Sequence, residues 1–328
     1  MPVQITIIGL GQIGASIGLA LKAREANIQI VGHDKDSRSA KAAQEAGAVD
    51  TYKYNLPDSV RDARLVILAV PFAEVRKTLE LIAADLQEGA LVLDTALSKG
   101  TVDSWAKELI PQGRFYAGLF PAIHPDHLHD MDYGIKAAHA DLFEKGIMVV
   151  TTPHGTPENV FKLITDFISL LGSLPLLMDT AEADGLVGKV QILPQLAAAA
   201  LLDATLDQPG WYEAKKLAGR PYAVVTSGLA YHDDAASLRE ASLENKENVV
   251  RLLNSYISSL IQLRDNIAEG DREALGNRLD NVWSGRVRWF EECVEAEWLN
   301  QGTQKIDVPS FSERLFGSSL TRRTKQNK

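Results

Sequence analysis

The sequence predicts an α/β chain in which a doubly wound, parallel sheet precedes an all-helical domain. Three observations carry this: short apolar runs alternate with helical patterns through the first half, a glycine-rich turn joins the first run to the first helix, and strand signals fade after about residue 180. In order, the runs are QITIIGL (residues 4–10), IQIVGHD (28–34), LVILAV (65–70), ALVLDT (90–95), RFYAGLF (114–120) and IMVVTT (147–152), with LPLLMD (174–179) as one more. Most are continuously apolar, as befits strands buried on both faces of a parallel sheet. Between them, ASIGLALKAREA (15–26) and FAEVRKTLELIAADL (72–86) read as helices, and Thr156 as N-cap with Pro157 in the first turn opens another that runs to about Leu171.

After Thr180 the pattern changes. Residues 180–206 are rich in Ala and Leu, and 236–268 and 271–299 show helical periodicity. Only YAVVTS (222–227) reads as a weak strand. Long helices with apolar faces and few partners in their own chain imply a second subunit, so a homodimer through this domain is expected. The expected division is 1–178 for the sheet domain, 179–310 for the helical domain and 311–328 for a tail. That tail ends in basic, aperiodic LTRRTKQNK (320–328) and reads as a frayed terminus, not a binding arm.

Bulk properties limit the function. A chain of 328 residues with 45% hydrophobic content can bury two cores, and a net charge of −9 argues against a nucleic-acid partner. A small anionic substrate is compatible, because a few local cations can dominate one cleft. The single cysteine, Cys293, cannot form an intramolecular disulfide, which points to a reducing cytoplasm. There is no leader-like start and no apolar run of membrane-spanning length is read, so no membrane partner is expected.

The stretch IIGLGQIG sets Gly9, Gly11 and Gly14 in G-x-G-x-x-G spacing, with Leu10, Gln12 and Ile13 between them, directly after a strand and before a helix. The first glycine permits the turn, the second lets a pyrophosphate approach the backbone, and the third lets helix and strand pack closely. The helix start offers unpaired N–H groups to the phosphate. Asp34 ends the second run twenty residues after Gly14, where its carboxylate can accept from ribose hydroxyls. This is a Rossmann-type dinucleotide site that favours NAD. Lys35 and Arg38 stand near enough to meet a 2′-phosphate, which keeps NADP open. Val70 and Pro71 close the third run where the dinucleotide crosses the sheet.

FPAIHPDHLHD (120–130) holds His124, His127 and His129, interleaved with Asp126 and Asp130. Their spacings of three and two suit neither a helix face nor a strand face, and no other His or Cys cluster is evident in the sequence. No metal is therefore expected.

At this point the chain resembles the prephenate/arogenate dehydrogenases of tyrosine biosynthesis. The similarity runs from GLGQIGASIGLALK through VGHDKD, LVILAVPFAEV, VLDTALSKG and ADLFEKGIMVVTTP, and ends in LREASLENKENV, close to that family's W-R-D-x-x-x-x-N-K-E segment. The resemblance implies a Rossmann domain followed by a helical dimerisation domain. It also implies hydride transfer from a cyclohexadienol to NAD(P), with loss of the ring carboxylate and aromatisation. Such chemistry needs a base at the ring hydroxyl, which a neutral histidine can supply, and a cation for the substrate carboxylates.

The substrate side departs from the family pattern. One alignment of RFYAG on R-F-V-G-G puts Leu119 or Phe120 where the family's G-G-H-P histidine belongs; another pairs FPAIHP with that motif and makes His124 the base. S-H-L-P-H reads here as QILPQ (191–195), and the glycine-serine pair of D-x-G-S-V-K becomes Ala96-Leu97, with Ser98 following and Lys99 kept. The Trp of W-R-D is Leu238, and no arginine stands at the family's anchoring position, so Ser98, Arg220 and Arg239 are the remaining substrate-side candidates. Three readings stay open: a prephenate or arogenate dehydrogenase, a dehydrogenase of another ring carboxylate or hydroxy acid, and a catalytically silent NAD-binding dimer.

Overall fold

The computed structural model describes residues 3–24, 27–130, 132–229 and 234–296; the proposed tail lies outside them. The first domain contains β1 (Val3–Ile8), α1 (Gln12–Arg24), β2 (Ile28–His33), α2 (Ser37–Glu45), β3 (Thr51–Tyr52), α3 (Leu56–Val60), β4 (Ala63–Leu68), α4 (Phe72–Ile82), β5 (Leu91–Asp94), α5 (Lys99–Leu109), β6 (Phe115–Pro121), β7 (Ile147–Thr151), α6 (Glu158–Leu170) and β8 (Leu174–Leu177). These strands form one sheet in the order β3-β2-β1-β4-β5-β6-β7-β8. β4 and β5 are buried at nearly every position, which is why their sequences are continuously apolar.

Two details depart from expectation. The sheet is not wholly parallel, because β6 and β7 pair antiparallel, Gly118 opposite Thr151 and Pro121 opposite Met148. Residues 122–130 and 132–146 run through turns and short 3₁₀ segments, and among these described residues there is no crossover helix that would bring β7 back parallel. Thr156 does not cap α6 either. Its hydroxyl donates to the Pro153 carbonyl (2.7 Å), and Pro157 takes the N-cap position without a side-chain bond.

The helical region contains α7 (Thr180–Val187), α8 (Leu193–Thr205), α9 (Trp211–Leu217), α10 (Arg220–Thr226), α11 (Ala235–Glu244), α12 (Lys246–Glu269) and α13 (Arg272–Glu295). YAVVTS is therefore helical, not a strand. Gly219 and Pro221 start α10, and Tyr222 is tied to α8 through its hydroxyl and Thr205 Oγ1 (2.8 Å), so helix packing overrides the β-branched run. A π turn over Gly188–Ile192 joins α7 to α8, with the Leu193 N–H reaching the Gly188 carbonyl. It lies just ahead of Pro194, which has no N–H to continue the α pattern. Together they make one helix, Thr180–Thr205, of mean hydropathy 1.4 and 26 residues. By length and composition it could cross a membrane, against the expectation that no apolar run reaches that length. Its Asp184 is engaged inside the fold, as described below, while Leu186 and Val190 on the same helix are exposed.

Candidate active site

The chain turns one way from β1 to β2 and the opposite way to β4, so a crevice opens at the carboxyl ends of β1 and β4. The glycine loop and the Ala69-Val70-Pro71 segment meet there. Gly9 has φ +91°, and a Cβ on it would lie 2.2 Å from the Ala69 carbonyl oxygen; one on Gly14 would lie 1.9 Å from the Gly9 carbonyl oxygen. Both positions therefore require glycine. Gly11 differs, since a Cβ there meets nothing within 4 Å. It borders open space, as a residue that lets a pyrophosphate reach backbone N–H groups must. We expect Gly11→Val to fold as the parent does yet lose the thermal stabilisation that NAD gives. Parent-like stabilisation of this variant in a thermal-shift titration would remove the loop from the cofactor site.

Asp34 sits beside this loop. Its Oδ2 accepts from the Leu10 N–H and its Oδ1 from the Asp36 N–H, both at 2.8 Å. The carboxylate is thus fixed against the loop, with lone pairs left for ribose hydroxyls. The two nearby cations are already paired. Arg38 clasps Asp36 (2.9 Å), an interaction that raises the Arg38 pKa and lowers that of Asp36, while Lys35 reaches Glu74 (3.4 Å).

At the end of β5 lies a buried polar cluster that sequence reasoning did not foresee. Lys99 Nζ pairs with Asp94 Oδ1 at 2.9 Å, both side chains fully buried. Asp94 also accepts from the Tyr116 hydroxyl (2.6 Å) and the Ala96 N–H (2.8 Å). Burial pushes the Lys99 ammonium pKa down, which Asp94 offsets only in part; burial and the Asp94 charge push Tyr116 well up. Gly118 makes room for this chain, since a Cβ there would stand 2.7 Å from Lys99 Cδ. Asp184, from α7, accepts from the Lys99 and Gly100 N–H groups (2.6 and 3.0 Å) and so caps α5 from the other domain. Burial raises the Asp184 pKa against those two bonds. Asn245, at the break between α11 and α12, donates to the Asp184 carbonyl (2.8 Å), which gives the Asn of the N-K-E segment a structural task.

The substrate-side candidates scatter. Ser98 is buried at the start of α5, its hydroxyl 3.1 Å from Thr101 Oγ1. Arg220 is exposed at the start of α10, and Arg239 is exposed on α11 and paired with Glu240 (2.8 Å). Leu119 is fully buried in the core beneath α1 and α6. Ala96, Leu97 and Leu238 are buried in a second apolar cluster, against which Val70, Phe120 and Leu196 pack. Three of the altered motif positions, Ala96, Leu97 and Leu238, therefore share one apolar wall. Gln195 is buried too, with its amide donated to the Gln191 carbonyl one turn back.

His124 follows β6 at the carboxyl edge. Its N–H donates to the Leu142 carbonyl (2.7 Å), and its half-buried ring accepts the Asp126 N–H at Nδ1 (3.3 Å). The segment 122–146 folds back over α1, where the His139 N–H donates to Ser16 Oγ (3.0 Å). His129 lies apart, its ring near Phe290 of α13. His127 is not alone, however. His139 stacks on it, with ring centroids 4.1 Å apart and planes 15° from parallel. The absence of a further histidine partner, inferred from spacing in the sequence, is corrected by this contact.

Residues 17–174 match the family described as prephenate dehydrogenase, nucleotide-binding domain, and residues 179–281 match prephenate dehydrogenase, dimerization domain. The chain is 25% identical over 273 residues to prephenate dehydrogenase of Bacillus subtilis, covering 83% of this chain and 72% of that one. It is also 25% identical to cyclohexadienyl dehydrogenase of Zymomonas mobilis, covering 83% of this chain and 91% of the other. Among solved structures it is similar to prephenate dehydrogenase from A. aeolicus, crystallised with hydroxyphenyl propionate and NAD+, with TM-score 0.74 and 23% identity over 88% of this chain and 98% of that one.

Proposed function

The chain belongs to the prephenate dehydrogenase family, both of whose domains it carries, and from that premise we propose that it oxidises a cyclohexadienol carboxylate, prephenate or arogenate, with NAD. The observation that carries this is the docking of the His124 segment onto α1, the helix that follows the glycine loop, through His139 and Ser16. That docking ties the proposed base to the dinucleotide domain. Gly9 to Gly14 with Asp34 hold the cofactor, and Val70 and Pro71 line its path across the sheet. NAD supplies the hydride acceptor when bound. His124 takes the proton of the ring hydroxyl at Nε2 as that carbon loses its hydride, in the tautomer that carries its own proton on Nδ1 and turns it toward Asp126 Oδ2 (3.8 Å) in place of the 3.3 Å contact with the Asp126 N–H. Ser98, Arg220 and Arg239 are the candidates carried over for the substrate side, Arg220 and Arg239 as cations for its carboxylates.

The same reading divides the chain at residues 178 and 179 and pairs two copies through the helical domain, which ends at about residue 310. Apolar side chains left open on α12 and α13, such as Leu260, Ile261, Val282 and Trp283, support that pairing. The lone Cys293 supports a cytoplasmic setting.

A second reading keeps the chemistry and changes the substrate. It is favoured by the apolar wall of Ala96, Leu97, Phe120 and Leu238, in which Leu97 takes the place of the related motif's serine and Phe120, on one of the two alignments, that of its histidine. A site that loses such groups loses discrimination for the ligand that used them. Purified protein incubated with NAD and either prephenate or arogenate should produce NADH. Measurable NAD binding with no NADH from either acid would turn the assignment to another ring carboxylate or hydroxy acid; no turnover with any of these would leave a silent NAD-binding dimer.

A further inference from the structure

We propose that His127, Asp130 and His139 form a binding site for a divalent cation of the zinc class, which pins the segment between β6 and β7 that carries His124. Three ligand atoms converge there. Asp130 Oδ2 lies 3.1 Å from His127 Nδ1 and 3.3 Å from His139 Nε2, and all three atoms lie within 4.8 Å of one another. In a tetrahedral zinc site with bonds of about 2.0–2.1 Å, neighbouring ligand atoms stand about 3.3 Å apart. Two of the three edges are already close to that length, and ion binding would turn one of the two stacked rings, whose planes now lie 15° from parallel, to close the third.

A neighbouring carboxylate points the same way. His127 Nε2 lies 3.0 Å from Asp141 Oδ1, which can accept an Nε2–H. This carboxylate–histidine pairing is the arrangement that orients metal-bound imidazoles. It leaves the Nδ1 lone pair facing a carboxylate oxygen at 3.1 Å, with a second imidazole nitrogen facing the same oxygen. Electron-pair donors brought this close repel unless a proton or a Lewis acid sits among them, and a zinc-class ion supplies the latter. Two imidazoles and one carboxylate are a donor set suited to zinc, with water in a fourth position. The ligands come from two turns, 125–130 and 139–141, brought together by the fold. The exposed Asp130 opens the site to solvent.

The test needs neither NAD nor substrate, so it stands apart from the dehydrogenase reading. Full-length protein freed of metal by a chelator is titrated with Zn2+ by calorimetry and with Co2+ by visible absorption. The expected result is saturable binding of one ion per chain, with the Co2+ band of a tetrahedral site. Asp130→Asn, at a solvent-facing position, and His139→Gln should each weaken Zn2+ binding by at least about tenfold, with circular dichroism unchanged. His129→Gln should bind as the parent does. Absence of saturable binding, or parent-like affinity in both Asp130→Asn and His139→Gln, would overturn the site and leave His127 as an imidazolium held between two carboxylates.

Discussion

Replacing Lys99 with methionine should lower the free energy of unfolding by about 3–5 kcal/mol, the loss incurred when one partner of a buried ion pair is removed. The reason lies in what remains. Asp94 would stay fully buried, with the Tyr116 hydroxyl and the Ala96 N–H as donors but without its counter-charge. Methionine fills the channel that Gly118 opens beside the Lys99 stem, so the effect reports charge more than volume. Adding Asp94→Asn to the variant should recover part of the loss, because the orphaned charge is then gone. Urea denaturation of the single and double variants decides it. A single-variant loss under about 1 kcal/mol would mean that Asp94 is protonated or rehydrated, contrary to its dry surroundings. The cluster also joins β5, β6 and α5 to α7 through Asp184, so its loss should loosen the two domains together.

The second large effect concerns His124. With the ring acid that supports turnover, His124→Asn should reduce kcat by about 10²–10⁴-fold, the usual contribution of a positioned general base. The affinity for NAD should be unchanged, because no bond from the His124 side chain reaches the glycine loop among the described residues. Asparagine can still accept the Asp126 N–H and so hold the turn. An unchanged kcat would return His124 to a structural part in the loop. It would then direct attention to Phe120, the other position to which the family histidine can be aligned.

The distinction between these two residues shows how far sequence reached. Leu119, Phe120 and His124 all lie in one short run, and either alignment is possible on residue types alone. In the fold, Leu119 is locked in the core, Phe120 packs on the apolar wall, and His124 lies beyond the strand at the carboxyl edge. The glycine turn proposed for the cofactor was legible because its demands are local. Gly9 needs a positive φ, Gly14 needs close packing, and Asp34 bonds to Leu10 across a single strand-to-strand step. YAVVTS misled because its β-branched residues are weak local votes, overruled by Pro221 and by contact with α8.

The sequence by itself determined the alternation of strands and helices in the first domain, the glycine-rich turn and the family. Each is written in periodicity or in motifs whose parts interact over a few residues or one βαβ unit. Only the tertiary structure decided the antiparallel turn of β7, the burial of Lys99 against Asp94 and Tyr116, the reach of Asp184 into the start of α5, and the meeting of His127 with His139. Those contacts join residues whose separation in the chain carries no period, so nothing short of the packed fold brings their charges and lone pairs within bonding distance.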